Sequence, residues 1–204
     1  MPFSWDDSRR AFTEAADWFI RTTALVGDRW ERPGLGEWDV RALVGHTSRS
    51  LLTVESYLGR PAAGVEIASA ADYFRATRAI ASGPAVAARG HDAGTALGAD
   101  PVAAVAEIAA RVLPIIDGQT GAELLTTIVG GMRLGDYLPT RTFELTVHTA
   151  DLAVALGVPA DVPATAAAQA LSIVADLIIV DGTAAAVLLA TTGRSGLPSG
   201  FSVL

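Results

Sequence analysis

The chain has 204 residues and a formal charge of −7, with half its residues hydrophobic and 18% charged. This is about one domain's worth of well-packed globular protein, and it excludes a disordered chain. The acidic balance and the lack of any dense arginine cluster leave no basic stripe to track phosphates, so no nucleic-acid partner is expected.

All fifteen basic residues are arginine, because the sequence contains no lysine, and asparagine is missing too. This reads as codon bias of a GC-rich bacterial genome. It leaves no lysine for Schiff-base chemistry. Cysteine is also absent, which removes disulfides, thiolate ligands and a cysteine nucleophile together. The start, Met1-Pro2-Phe3-Ser4-Trp5-Asp6-Asp7, lacks a basic stretch followed by an apolar run, so no signal peptide is expected. The apolar stretches, such as Ala184 to Ala190, fall far short of the ~20 residues that span a bilayer. The expectation is a soluble cytoplasmic protein with no membrane partner.

In chain order, apolar positions Phe12, Ala15, Ala16, Phe19, Leu25 and Val26 recur at helical spacing and predict a first helix from Asp6 to about Arg29. Pro33, Gly34 and Gly36 break it. Asp39 stands at an N-cap position and opens a second helix to about Leu58, with His46 two turns inside. A helix is expected around Ala68 to Ala81, then a long surface connection through the glycine-rich stretch from Gly90 to Gly98, with His91 an ordinary loop residue. Pro101 at a first helical position opens a segment that ends at Asp117-Gly118. Leu124 to Val129 and the Gly130-Gly131 turn predict a short extended piece or hairpin. Asp136 to Leu156 reads as the fourth major helix, closed by Gly157 and Pro159. A helix follows from Ala164 to about Val180, and the tail from Ala185 to Val203 reads as extended with turns. The fold class expected is mainly α. Residues 1–160 would form the bundle and 161–204 a short C-terminal α/β appendage packed on it.

Glu144 and His148 lie four apart, so they share one face of the fourth helix, with about 5–6 Å between Cβ atoms. Leu145, Val147, Leu152 and Ala155 around them suggest an inward view, where an unpaired carboxylate is costly and a cation is a natural partner. His46 sits among Val40, Leu43 and Leu51 at a comparable position, and facing helices of a bundle can host such sites. A His, Glu, His set without a fourth protein ligand is the donor choice of a zinc-type site that keeps one position open. Spacing alone leaves the bland alternative standing: a hydrogen-bonded pair on one helix and an unrelated histidine upstream.

The segment Gly36-Glu37-Trp38-Asp39-Val40-Arg41-Ala42-Leu43-Val44-Gly45-His46 resembles a signature of the mycothiol-dependent maleylpyruvate isomerase N-terminal domain family, related to the DinB-like helical bundles. The run from Arg141 through Glu144 and His148 to Asp151 and Leu152 is similar to that family's second motif, and the ending Thr192 to Phe201 looks like the tail of actinobacterial members. The resemblance implies a DinB-like four-helix bundle whose His46, Glu144 and His148 hold a divalent metal, typically zinc. It also implies mycothiol-dependent chemistry, either isomerisation of maleylpyruvate or S-transfer to an electrophile. Arg141 and Asp151 then become candidates for supporting the carboxylate and the imidazole N–H, against the alternative of an ordinary surface charge pattern. Trp30 and Trp38 are read as core anchors rather than substrate platforms.

The family's isomerases carry a larger C-terminal domain that helps bind the thiol. Arg194 is the only basic residue after Arg141, so it is the tail's candidate for a cofactor or substrate carboxylate. The missing cysteine fits a reaction whose sulfur arrives on a small molecule. The partners expected are therefore a small-molecule thiol and an electrophile, with a homodimer plausible for such bundles. The competing expectation is a non-catalytic metal-binding sensor or partner-binding bundle.

Overall fold

The structure, a computed structural model, describes residues 3–78 and 84–204. Helix α1 (Trp5–Thr23) starts at a capping box in which the Asp7 N–H donates to Ser4 Oγ at 3.1 Å and the Ser4 N–H donates to Asp7. Two short strands, β1 (Pro33–Leu35) and β2 (Trp38–Asp39), pair antiparallel and lead into α2 (Val40–Leu58). The Asp39 carboxylate caps α2 by accepting the Ala42 N–H at 2.7 Å. Then come α3 (Ala70–Thr77), α4 (Pro84–Ala96) and α5 (Pro101–Asp117), the last with Pro101 in its first turn and its Asp100 cap. A hairpin of β3 (Leu124–Thr127) and β4 (Gly130–Arg133) precedes α6 (Leu134–Leu156), which ends at left-handed Gly157. Helices α7 (Ala164–Val180) and α8 (Ala184–Thr191) complete the described elements.

The mainly helical class is observed, with α1, α2, α5 and α6 packed as a four-helix bundle. Phe12 and Phe19 of α1, Leu43 and Leu51 of α2, Val112 and Ile116 of α5, and Leu138 and Leu145 of α6 meet in one buried core. Ala166, Ala170, Ile173 and Leu177 bring α7 into the same core, and Gln169 Nε2 donates to Ser8 Oγ at 2.9 Å. The hairpin buries Leu125 opposite Met132 and delivers the chain into α6. Among the described residues, no helix is long and apolar enough to cross a membrane.

Three expectations need correction. The first helix stops at Thr23, not Arg29, and Leu25, expected inside, is exposed. Gly27 takes a positive φ there, and the Arg29 guanidinium donates to the carbonyls of Val26 at 3.0 Å and Leu156 at 2.7 Å, tying the ends of α1 and α6 together. The glycine-rich stretch is helix α4 rather than a surface connection, so His91 is an exposed helical residue. Its glycines serve close packing: a Cβ on Gly94 would lie 2.8 Å from the Arg41 carbonyl, and one on Gly45 would lie 2.2 Å from Gly94 N. The tail expected to be extended from Ala185 forms α8, whereas the hairpin expected from Leu124 is present as β3 and β4, with Gly130 and Gly131 in β4 rather than at the turn. Ala184 to Ala190 is an unbroken alanine, valine and leucine run, with the helix propensity to form without burying any residue fully. The helix expected over Ala68 to Ala81 is present as α3, and residues 79–81 of that expectation lie outside the described residues.

Candidate metal centre

Helix α6 carries Glu144 and His148 one turn apart, and α2 packs beside it with His46. The three residues each offer a ligand atom, and those atoms lie within 4.8 Å of one another. His148 Nε2 stands 3.2 Å from Glu144 Oε2, and the His46 and His148 rings meet edge to face at 4.9 Å between centroids. A tetrahedral ion with bonds of about 2.0–2.2 Å sets ligand atoms roughly 3.4 Å apart. The Glu144 and His148 pair already has that spacing, and His46 has a short distance left to close.

The hydrogen bonding is what suits the set to a cation. His148 Nδ1 lies 3.1 Å from Asp151 Oδ2. With Nδ1–H donated there, Nε2 of the neutral ring turns a lone pair toward the Glu144 carboxylate, so two acceptors face each other. Either a proton or a metal ion between them relieves the conflict. Without a metal the proton takes the place: burial opposes a charged ring, but the bonds to Asp151 and Glu144 outweigh it and hold the His148 pKa up at about 9.

Glu144 is the mirror case. Burial favours its neutral form, yet the His148 hydrogen bond and the Arg141 and histidine charges hold its pKa down at about 2. His46 behaves differently, since burial and the nearby His148 lower its pKa to about 4, leaving a neutral imidazole. Its Nδ1 is enclosed and has no hydrogen-bond partner. An orphaned nitrogen of a neutral imidazole beside an ionised carboxylate is a donor set that fits a divalent ion.

Trp38 packs its indole over His46, 4.3 Å between ring centroids, and lies 6.3 Å from His148. Its Nε1 donates to the Ala87 carbonyl at 3.0 Å, which fixes it to α4. Arg141 is buried, with Nη2 at 4.0 Å from Glu144 Oε1 and Nε donating to Thr140 Oγ1 at 2.9 Å. Its guanidinium lies over the rings of Tyr73 and Tyr137, 5.3 and 5.1 Å from their centroids. The triad opens onto a cavity of about 890 Å³ whose wall includes Trp38, Arg49, Tyr73, Tyr137 and Arg141.

The structure thus brings His46, Glu144, His148, Arg141 and Asp151 together. It does not bring Arg194, which follows α8 on the exposed tail, donates to the Thr192 carbonyl at 3.3 Å and is not part of the cavity wall. The arginines that do line the cavity are Arg49, Arg78, Arg89 and Arg141. Trp30 is half-buried under the Arg41 guanidinium and takes no part in the cavity, whereas Trp38 is both a core residue and its wall. Tyr137 was missed by the sequence reading although the signal was there: Tyr137, Arg141, Glu144 and His148 step by four, three and four along one helical face.

The chain matches no curated protein and no solved structure. A family model described as the mycothiol maleylpyruvate isomerase N-terminal domain matches residues 9–153, well over half of the chain and all three residues of the triad. With the triad, its supporting hydrogen bonds and this match in agreement, the chain belongs to the mycothiol maleylpyruvate isomerase N-terminal domain family.

Proposed function

We propose that this protein is a divalent-metal-dependent enzyme that uses a small-molecule thiol, mycothiol by its family, to act on an electrophile, as an isomerase or an S-transferase. The observation that carries the reading is the convergence of His46, Glu144 and His148 on the wall of a cavity large enough for a thiol and a substrate. The two histidines and one carboxylate leave room for a further ligand, the mark of a reactive rather than a structural site. Zinc is the cation this donor set favours.

A cation bound here supplies Lewis acidity that favours the thiolate form of an incoming thiol at neutral pH. The protein's own groups prepare that chemistry. Asp151 accepts the Nδ1–H of His148 and fixes the tautomer that presents Nε2 as a ligand. Arg141 balances the charge of Glu144, and Trp38 holds the His46 ring in place. The chain contributes no thiol of its own, since it has no cysteine. In the isomerase form, the thiol loses its proton and its sulfur adds to one carbon of an activated double bond. The π electrons move to the conjugated carbonyl, the new single bond rotates, and the sulfur leaves to restore the alkene. In the transferase form the enolate carbon takes up the proton that the thiol lost, so the sulfur stays bonded to the product and no group leaves.

The test is mycothiol consumption across a panel of electrophiles, with zinc-loaded wild type beside His148→Ala. Metal-dependent turnover lost in the variant supports the reading. No turnover with any thiol and electrophile, at full metal occupancy, points to a non-catalytic metal-binding bundle and overturns it.

A further inference from the structure

The stretch that follows α8 returns to the cavity. Residues 195–204 form no helix or strand, yet Leu204 lines the cavity together with Phe74, Thr77 and Arg78 from the end of α3. About half of the Leu204 side chain stays in solvent, which places it at the rim rather than in the floor.

One guanidinium nitrogen fastens this stretch. Arg78 Nη2 donates to the Val203 carbonyl at 2.9 Å and to the carboxylate of Asp181, the C-cap residue of α7. The two hydrogens of that nitrogen thus join the ends of α3 and α7 to the tail. Among the described residues, this is the only hydrogen bond between residues 196–204 and the rest of the chain. The others made there are local, from the Phe201 N–H to the Pro198 carbonyl and between Ser202 and Leu204. The Val203 side chain packs on the core, whereas Leu197 and Leu204 remain exposed. Gly193 and Gly200 take positive φ, with open space where a Cβ would stand, and supply turns on either side of Leu197. A segment with one polar tie, little buried apolar surface and glycine turns has the low local stability from which lids are drawn.

We propose that residues 195–204 are a strap across one side of the cavity, latched by Arg78 and opened by local release of that latch, so that bulky ligands enter while the bundle stays folded. Asp181 acts as a positioning residue, holding the guanidinium where it reaches the Val203 carbonyl. Among the described residues, no hydrogen bond ties the strap to α2 or α6, so its opening leaves His46, Glu144 and His148 where they are. This deepens the functional reading by saying how its cavity is entered, and rests on it only in taking the cavity as the place of reaction.

The experiment exploits the absence of cysteine, which makes any introduced thiol unique in the chain. Three single-cysteine versions of the metal-free full chain are labelled with a pyrene maleimide, which is bulky and uncharged. Val203→Cys reports the strap and Thr53→Cys the cavity wall. Ser8→Cys, buried where α1 meets α7, reports global unfolding. With the latch intact, Val203→Cys should label faster than Ser8→Cys and respond little to dilute urea, because only local opening is needed. Arg78→Gln should speed labelling of Val203→Cys and Thr53→Cys by about fivefold, the scale of one hydrogen bond from a partly exposed charge, and leave Ser8→Cys unchanged. Asp181→Asn should act in the same direction. It removes a charge of opposite sign, so a mere electrostatic effect on the thiol would give opposite changes. Equal rates for Val203→Cys and Ser8→Cys with the latch intact would mean that the tail opens only by global unfolding, and overturn the proposal whatever the variants do. A rise at Val203→Cys without one at Thr53→Cys overturns it as well, since the strap would then fray without gating the cavity. So does no rise at either position, or a rise shared by all three. Neither mycothiol nor turnover enters the assay, so its failure is distinct from failure of the thiol-turnover test.

Discussion

Trp38 and His46 are stacked at 4.3 Å between ring centroids, with 32° between their planes. Among the described residues neither His46 ring nitrogen makes a hydrogen bond, so the contact stands where metal-binding histidines elsewhere find an oxygen partner for the nitrogen that does not ligate. Packing against the indole therefore does the orienting. The indole is held in turn by the Ala87 carbonyl and by Gly90, where a Cβ would fall 2.3 Å from the Trp38 Nε1.

Two substitutions test this. Trp38→Leu removes the stacked face and Gly90→Ala pushes the indole aside from α4, so both should weaken zinc binding roughly tenfold, at the low end of what loss of a ligand's supporting contact costs. Chelator competition on the folded proteins measures it. Unchanged affinity in both variants would mean that His46 is held without Trp38.

The α6 half of the site was legible in the sequence because it is local. Glu144, His148 and Asp151 follow one another within two helical turns, so helical geometry alone places them together. His46 belongs to another helix, and its approach depends on how α2 and α6 pack, which no spacing states. A family motif supplied that link. Trp38 and Tyr137 were harder for a different reason: an aromatic residue beside a site has the same sequence signature as one in the core, and Trp38 is in both. The arginines of the cavity were invisible because Arg49, Arg78 and Arg89 stand apart in sequence on α2, the end of α3, and α4.

Metal binding should show a defined pH dependence. In the metal-free protein His148 titrates at about 9, above its ordinary value of 6.5, so its proton stabilises the fold fully below pH 6.5, and that contribution fades as pH rises through 9. His46 works in the other direction: titrating at about 4, it resists folding once the unfolded chain's histidine begins to protonate, and stability is lost as pH falls from 6.5 toward 4. The metal-free protein should therefore be most stable near pH 6.5. A metal ion must displace the His148 proton, so affinity should rise about tenfold per pH unit between 6.5 and 9 and then level. Asp151→Asn lowers the His148 pKa, which moves this rise to lower pH, and yields a poorer ligand, which lowers the plateau about tenfold. Thermal melts with and without zinc across this range, and calorimetry in buffers of different ionisation enthalpy, read both effects. A flat profile would show that no proton stands in the ion's place.

The close crossing of α2 and α4 links the fold to the site and gives a sign that competing effects decide. Gly45 sits immediately before His46 in the interior of α2, where replacing glycine by alanine ordinarily stabilises a helix by up to about 1 kcal/mol. Here an added Cβ would lie 2.2 Å from Gly94 N and 2.5 Å from the Ala93 carbonyl carbon, both backbone atoms that no side-chain rotation can move. Overpacking of this kind costs about 1–3 kcal/mol, so Gly45→Ala should destabilise the protein despite the better propensity. Gly64→Ala, with open space at its Cβ, should stay within about 0.5 kcal/mol of the wild type. Because α4 also holds Trp38, separating the two helices should loosen the Trp38 and His46 stack, so Gly45→Ala should lose zinc affinity along with stability. Urea denaturation of the metal-free protein and chelator competition below the unfolding transition measure the two losses separately. Stability lost with metal affinity intact would show that the helix crossing supports the bundle without positioning the site.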